Sequence, residues 1–218
     1  MDLPRFSRRE AAFIVGVPIA WAILLLFHPQ GERTSIYADI QDQVTAMLVV
    51  HIGMLLFIPL MAAVIYLLVR GIESTAARVS RIALIPFVVF YSAWEILQGI
   101  ANGVLVDEVN ALPAAEQGTG ADLIQAFAES PLVRDLGVFA IIGSLGLLIA
   151  TLAAGMALRS DADAPVSVAV LFGFSGLLIT AHPPPFGPIG LVLFVVAFIL
   201  LARSESAARE AGPRPTPA

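Results

Sequence analysis

Glu95 stands in the middle of an apolar run, 82–106, and it is not alone there. Tyr91, Glu95, Gln98 and Asn102 recur at steps of four, three and four, a spacing that lays four polar groups along one face of a helix. A carboxylate in hydrocarbon is penalised heavily unless it is protonated, paired or wetted. The stripe must therefore turn inward, and any chemistry of this chain is expected around it.

The chain has three histidines, His28, His51 and His182. His51 lies inside the apolar run 44–69, about seven residues from its start and so roughly 10 Å deep at the rise of an α-helix. His28 and His182 each precede a proline, which disfavours helical geometry and marks the end of an apolar run. The expected ligand pocket is His51, Tyr91, Glu95, Gln98 and Asn102. Imidazole and carboxylate together suit zinc or non-haem iron, so His28, His51, His182 and Glu95 are the candidate metal ligands. No short-spaced signature such as H-E-x-x-H accompanies them, and their convergence depends on the tertiary fold. Met47, His51, Met54 and Met61 fall near one helix face, which would also suit haem or copper. Methionine is a routine filler of apolar cores, so that reading is the weaker one. In the bland alternative Glu95 is neutral and simply hydrogen-bonds a neighbouring helix.

Other chemistries are excluded or find no support. Without cysteine there is no disulfide, thiolate ligand or thiol nucleophile. Gly143-Ser144-Leu145-Gly146 and Gly173-Phe174-Ser175-Gly176 lack the pattern of a serine-hydrolase turn and read as small-residue faces for close helix approach. All 12 basic residues are arginine, and no basic patch with interleaved aromatics points to nucleic acid.

The elements that must position these groups are all helical. Hydrophobic residues make up 58% and charged ones 13% of the 218 residues, with a mean hydropathy of +0.89. That composition belongs to a polytopic membrane protein with the lipid bilayer as partner. The expected fold is all-α: a six-transmembrane-helix bundle over 1–204, with spans near 11–27, 44–69, 82–106, 136–158, 166–181 and 186–202. The last two are short for a ~30 Å hydrocarbon core and meet at the rigid His182-Pro183-Pro184-Pro185 link. Ten of the twelve arginines fall on one side of this arrangement and only Arg33 and Arg134 on the other, which places both termini in the cytoplasm of a plasma membrane. The first span reads as uncleaved, since no small-x-small site follows it.

The 107–135 loop is then extracytoplasmic. Within it Thr119 to Asp122 resembles a helix cap ahead of Leu123, Ile124 and Phe127, predicting a short helix that lies on the outer interface or lids the bundle. Ser130-Pro131 predicts an early start for the fourth span, and Ser35 an early start for the second. Pro18, Pro59 and Pro86 lie inside spans and predict kinks. Residues 205–218 form an expected disordered cytoplasmic tail. The functional expectation is an outward-facing polar pocket, centred on Glu95 and His51, that takes a small polar ligand or ion from the extracytoplasmic side. A proton-coupled transporter, a membrane-embedded metal enzyme and a non-enzymatic scaffold stand as alternatives.

Overall fold

The computed structural model describes residues 6–31 and 35–210, and among these there is no strand. Arg5, Arg33, Arg214 and the tail beyond Glu210 lie outside the described residues. Helix α1 runs Arg8–Leu25 and opens on a capping box in which Ser7 and Glu10 satisfy each other's backbone N–H groups. A one-turn helix α2, Ile36–Ile40, is capped by Ser35. Ser35 thus starts a separate helix rather than an extension of the next one. Helix α3 spans Val44–Val69.

Helix α4 is the longest, Thr75–Asn110. Ser74 caps it, and Pro86 interrupts its hydrogen-bond ladder because it has no N–H to give. The pitch widens to π geometry directly after that proline, over Phe87–Tyr91, and again over Glu95–Ala101. Wide turns of this kind inside α-helices are frequent at functional sites, and the second of them begins at Glu95.

Helix α5 covers Ala114–Ala128, α6 Val138–Asp161, α7 Val166–Thr180 and α8 Phe186–Glu210. Three boundaries differ from expectation. The loop helix begins after Pro113 rather than at Thr119, because Ala114, Ala115, Glu116 and Gln117 are themselves good helix formers. Ser130-Pro131 does not start α6. It begins an irregular stretch closed by Gly137, whose N–H donates to Arg134 O at 2.7 Å, and α6 starts only at Val138. The last helix outruns the expected tail boundary and continues to Glu210, carried by the alanines, arginine and glutamates of that segment.

Among the described residues four helices are long and apolar enough to cross a membrane: α3, α4, α6 and the 186–206 part of α8. Helix α7 is apolar but shorter, and α1 spends its first turn on Arg8, Arg9 and Glu10. Helices α1, α3, α4, α6, α7 and α8 share one apolar core that includes Trp21, Met54, Met61, Phe87, Phe172 and Phe194. Close approach is secured by missing side chains. A Cβ on Gly143 would strike the Tyr91 backbone and one on Gly146 the Phe87 backbone, so α6 lies directly on the first wide turn of α4. Ser175 donates its hydroxyl to Phe172 O within its own helix, and Gly176 abuts Thr151. Both Gly-x-x-Gly stretches thus provide the small-residue faces expected of them.

A smaller cluster of Ile40, Met47, Val106, Val109 and Ile124 joins α2 and α5 to the end of α4. Gln125 Oε1 accepts from Ile36 N–H at 3.0 Å, and Asn110 takes Tyr37 OH at 2.9 Å while donating to Gln41 O at 3.0 Å. The result is a cap at the end of the bundle where α1 finishes and α3 begins.

Candidate metal centre

Under that cap the three histidines meet. His28 follows α1, His51 sits on the second turn of α3, and His182 follows α7. One ligand atom from each lies within 4.8 Å of the others, although His28 and His182 are 154 positions apart in the chain. Their ring centroids are 5.1, 4.9 and 6.0 Å apart. His51 and His182 are buried and His28 partly so.

Each ring is oriented from behind. His28 Nδ1 lies 2.8 Å from Pro29 O, and His51 Nδ1 lies 2.7 Å from Met47 O. A carbonyl only accepts, so both Nδ1 atoms carry hydrogen. In the neutral rings that leaves the lone pair on Nε2. His182 Nδ1 lies 3.3 Å from Tyr91 OH, which is also 3.4 Å from Thr180 O. The tyrosine hydroxyl has two settings: it donates to His182 Nδ1, or it donates to Thr180 O and accepts from His182. In the first setting His182 Nε2–H donates to His28 Nε2, 3.1 Å away. In the second all three imidazoles present Nε2 lone pairs to one another, which is the ligand set of a metal held by three histidines.

Glu95 completes the group. Its two oxygens lie 3.7 Å from His51 Nε2 and 3.7 Å from His182 Nδ1. Both distances exceed hydrogen-bond length but are close for charge. The side chain is 1% exposed and Oε1 has no hydrogen-bond partner among the described residues. A buried carboxylate oxygen so placed is an acceptor aimed at the cluster.

Trp94 walls the site. Its ring meets His182 edge-on at 5.3 Å, and Nε1–H donates to Val133 O at 2.9 Å. The irregular stretch before α6 is what makes that carbonyl available. Gly99 supports His51 from below, since a Cβ there would collide with the imidazole. A cavity of about 320 Å³ runs past the cluster beneath the cap, lined by Gln30, Asp39, Glu95, Gln98, Gln125 and Asp135 among others. The loop-three helix contributes Gln125 and Ala128 to its wall, which is the lid position expected of it.

The predicted residues sort as follows. His28, His51, His182 and Glu95 come together. Gln98 lines the cavity. Tyr91 does not line it and lies behind His182 instead. Asn102 leaves the stripe: its amide donates to Gln98 O and Gln98 Oε1 at 2.9 and 3.1 Å, and it does not line the cavity. The cause is the second wide turn, which rotates everything beyond Glu95 away from the ideal α-helical register. Met47 lines the cavity, whereas Met54 and Met61 belong to the apolar core. Gly99, Asp135 and the Val133 carbonyl were not singled out in the sequence. Gly99 sits four residues after Glu95 and carried a usable signal; the other two lie in a loop without periodicity.

Comparison of the chain with known protein families, curated proteins and solved structures finds no match.

Proposed function

We propose that this chain is a multi-pass membrane protein that holds a divalent transition-metal ion, zinc foremost, at His28, His51 and His182. The single observation that carries this is the meeting of all three histidines of the chain, each from a different element and each backed by an oxygen at Nδ1. Three imidazoles with an open fourth position match catalytic rather than structural zinc sites. A metal held there would supply an acidified water, and Glu95, 3.7 Å from two of the rings, would be the base beside it, so the chemistry these residues would support is metal-assisted hydrolysis. The cavity beneath the cap supplies access for water or a small polar ligand.

In this reading the bundle crosses the membrane six times. Helices α3, α4, α6 and α8 cross outright, while α1 and the shorter α7 complete the bundle through thinned bilayer or snorkelling ends. Arginine placement puts both termini in the cytoplasm and the metal at the outer side of a plasma membrane.

The test is a zinc titration of detergent-solubilised protein against a chelating dye. One zinc per chain is expected for the native protein. His51→Ala and His182→Ala are each expected to weaken binding by about 100-fold or more, because two remaining imidazoles make a poor site. Equal affinity in native and variant proteins would reject the centre.

A further inference from the structure

A second cavity, about 630 Å³, opens beside the histidines. Its floor is Ala140, Ser144 and Leu148, one face of α6 at steps of four. Thr180 and Phe186, at the facing ends of α7 and α8, form the opposite side. The outer lip is made of exposed apolar residues, with Ile141 44%, Leu145 49% and Phe186 53% accessible. At its inner end the groove shares Gln30, Trp94, Asp135, His182 and Pro183 with the polar cavity. It is thus apolar along its length and reaches the candidate ligands at one end only.

The length is informative. From Val138, the first residue of α6, to Leu148 is about 15 Å of helix. That is half of a ~30 Å hydrocarbon core, so the groove spans one leaflet and stops near the midplane. Its volume lies within the roughly 300–1,000 Å³ of small-molecule sites. An opening on the side of the bundle, rather than at its end, faces acyl chains rather than water in the six-span reading.

We propose that this groove binds the fatty-acyl chain of a single-chain amphiphile from the outer leaflet, with its oxygen-bearing head at the histidine centre. The inference rests on the metal reading for the head and on the groove for the chain. A carbonyl or carboxylate oxygen would be the group that an ion held by the histidines attracts, and the chain's methylene groups lie against Ala140, Ser144 and Leu148. Access from the bilayer removes the need for a water-soluble substrate to pass beneath the cap.

The probe is a palmitic acid carrying a diazirine at mid-chain, photolysed with zinc-loaded protein in detergent micelles and mapped by peptide mass spectrometry. Adducts are expected to concentrate in 136–148 and 180–186. Ser144 is not a candidate ligand, and Ser144→Trp is expected to fill the groove and reduce labelling there by about fivefold or more, with zinc content unchanged. Leu148→Phe is an independent plug if the first variant does not fold. Unlabelled palmitic acid is expected to compete about tenfold better than hexadecanol, since its carboxylate is the stronger metal ligand. Labelling dispersed over outward residues such as Ile82, Val89 and Val192, or unaffected by both plugs, overturns the groove. Equal competition by the acid and the alcohol overturns the placement of the head. Focused labelling on protein that retains no zinc rejects the metal centre and the head placement while leaving the chain site standing; zinc retained with dispersed labelling does the reverse.

Discussion

The tyrosine behind His182 decides which nitrogen that ring offers. Tyr91 OH lies between Thr180 O and His182 Nδ1 at 3.4 and 3.3 Å, so freeing the His182 Nε2 lone pair for a metal would require that the hydroxyl turn and that the ring's one proton move from Nε2 to Nδ1. Removing the hydroxyl is expected to weaken zinc binding by about 10- to 100-fold, the usual cost of losing an outer hydrogen bond to a ligating histidine. Tyr91→Phe in the dye competition measures this, and unchanged affinity would mean that the hydroxyl plays no orienting part. Glu95→Gln separates binding from chemistry. Zinc stoichiometry is expected to stay at one, while any hydrolysis of an ester probe falls by about 100-fold or more for want of the base. Because each imidazole binds metal only in its neutral form, zinc binding is expected to weaken, and to release protons, once the solution is acid enough to protonate the rings. A titration that is flat in pH would argue against imidazole ligands.

At the scale of the helices, glycine positions make the sharpest predictions. Gly99→Ala places a methyl group on the His51 ring and is expected to abolish tight zinc binding although Gly99 itself offers no ligand. Gly118 in α5 has nothing within 4 Å of a new Cβ, so Gly118→Ala is expected to raise stability by about 0.5–1 kcal/mol with zinc affinity unchanged. Thermal unfolding of the two variants side by side checks both. At the far end of α1, the Ser7 N–H and hydroxyl, and then the Arg70 guanidinium, hold the partly exposed Glu10 carboxyl below its ordinary range. A depressed folded value means the contribution is present above the unfolded value and is lost as pH falls through the folded one. Protection of the amides in the first turn of α1, taken relative to their intrinsic exchange rates, should therefore fall on acidification, and should lose that dependence in Glu10→Gln.

Elements and site were not equally legible in the chain. Hydrophobic runs placed the long helices, because a polar backbone buried in apolar surroundings must satisfy itself locally. The two prolines after histidine marked the ends of α1 and α7. The identity of the four converging groups was readable from residue type, since ionisable side chains in apolar runs are costly. Their convergence was not, because it depends on helices distant in sequence. The two wide turns were also hidden. Pro86 signalled a disturbance but not its form, and only the widened register explains why Gln98 reaches the cavity while Asn102 does not. The irregular 130–137 stretch was misread for a related reason: Ser-Pro is a good helix start in isolation, and Gly137 ends that option.

The bundle as a unit puts its candidate ligands at one end, with Arg134 beside them, and most of its described arginines at the other. His28, His51, Glu95 and His182 lie at the end where α1 finishes, whereas Arg8, Arg9, Arg70, Arg78 and Arg81 lie at the end where it starts. The natural absence of cysteine makes the proposed orientation easy to examine. Cysteine placed at Glu129 is expected to react with an impermeant maleimide in intact cells, and cysteine at Ser160 only after lysis; the opposite pattern would invert the protein. The metal itself is tested most directly by X-ray absorption at the zinc edge on zinc-loaded protein. Three imidazole nitrogens at about 2.0–2.1 Å with one oxygen are expected. A shell of oxygens alone, or protein that retains no zinc through desalting, would contradict the centre.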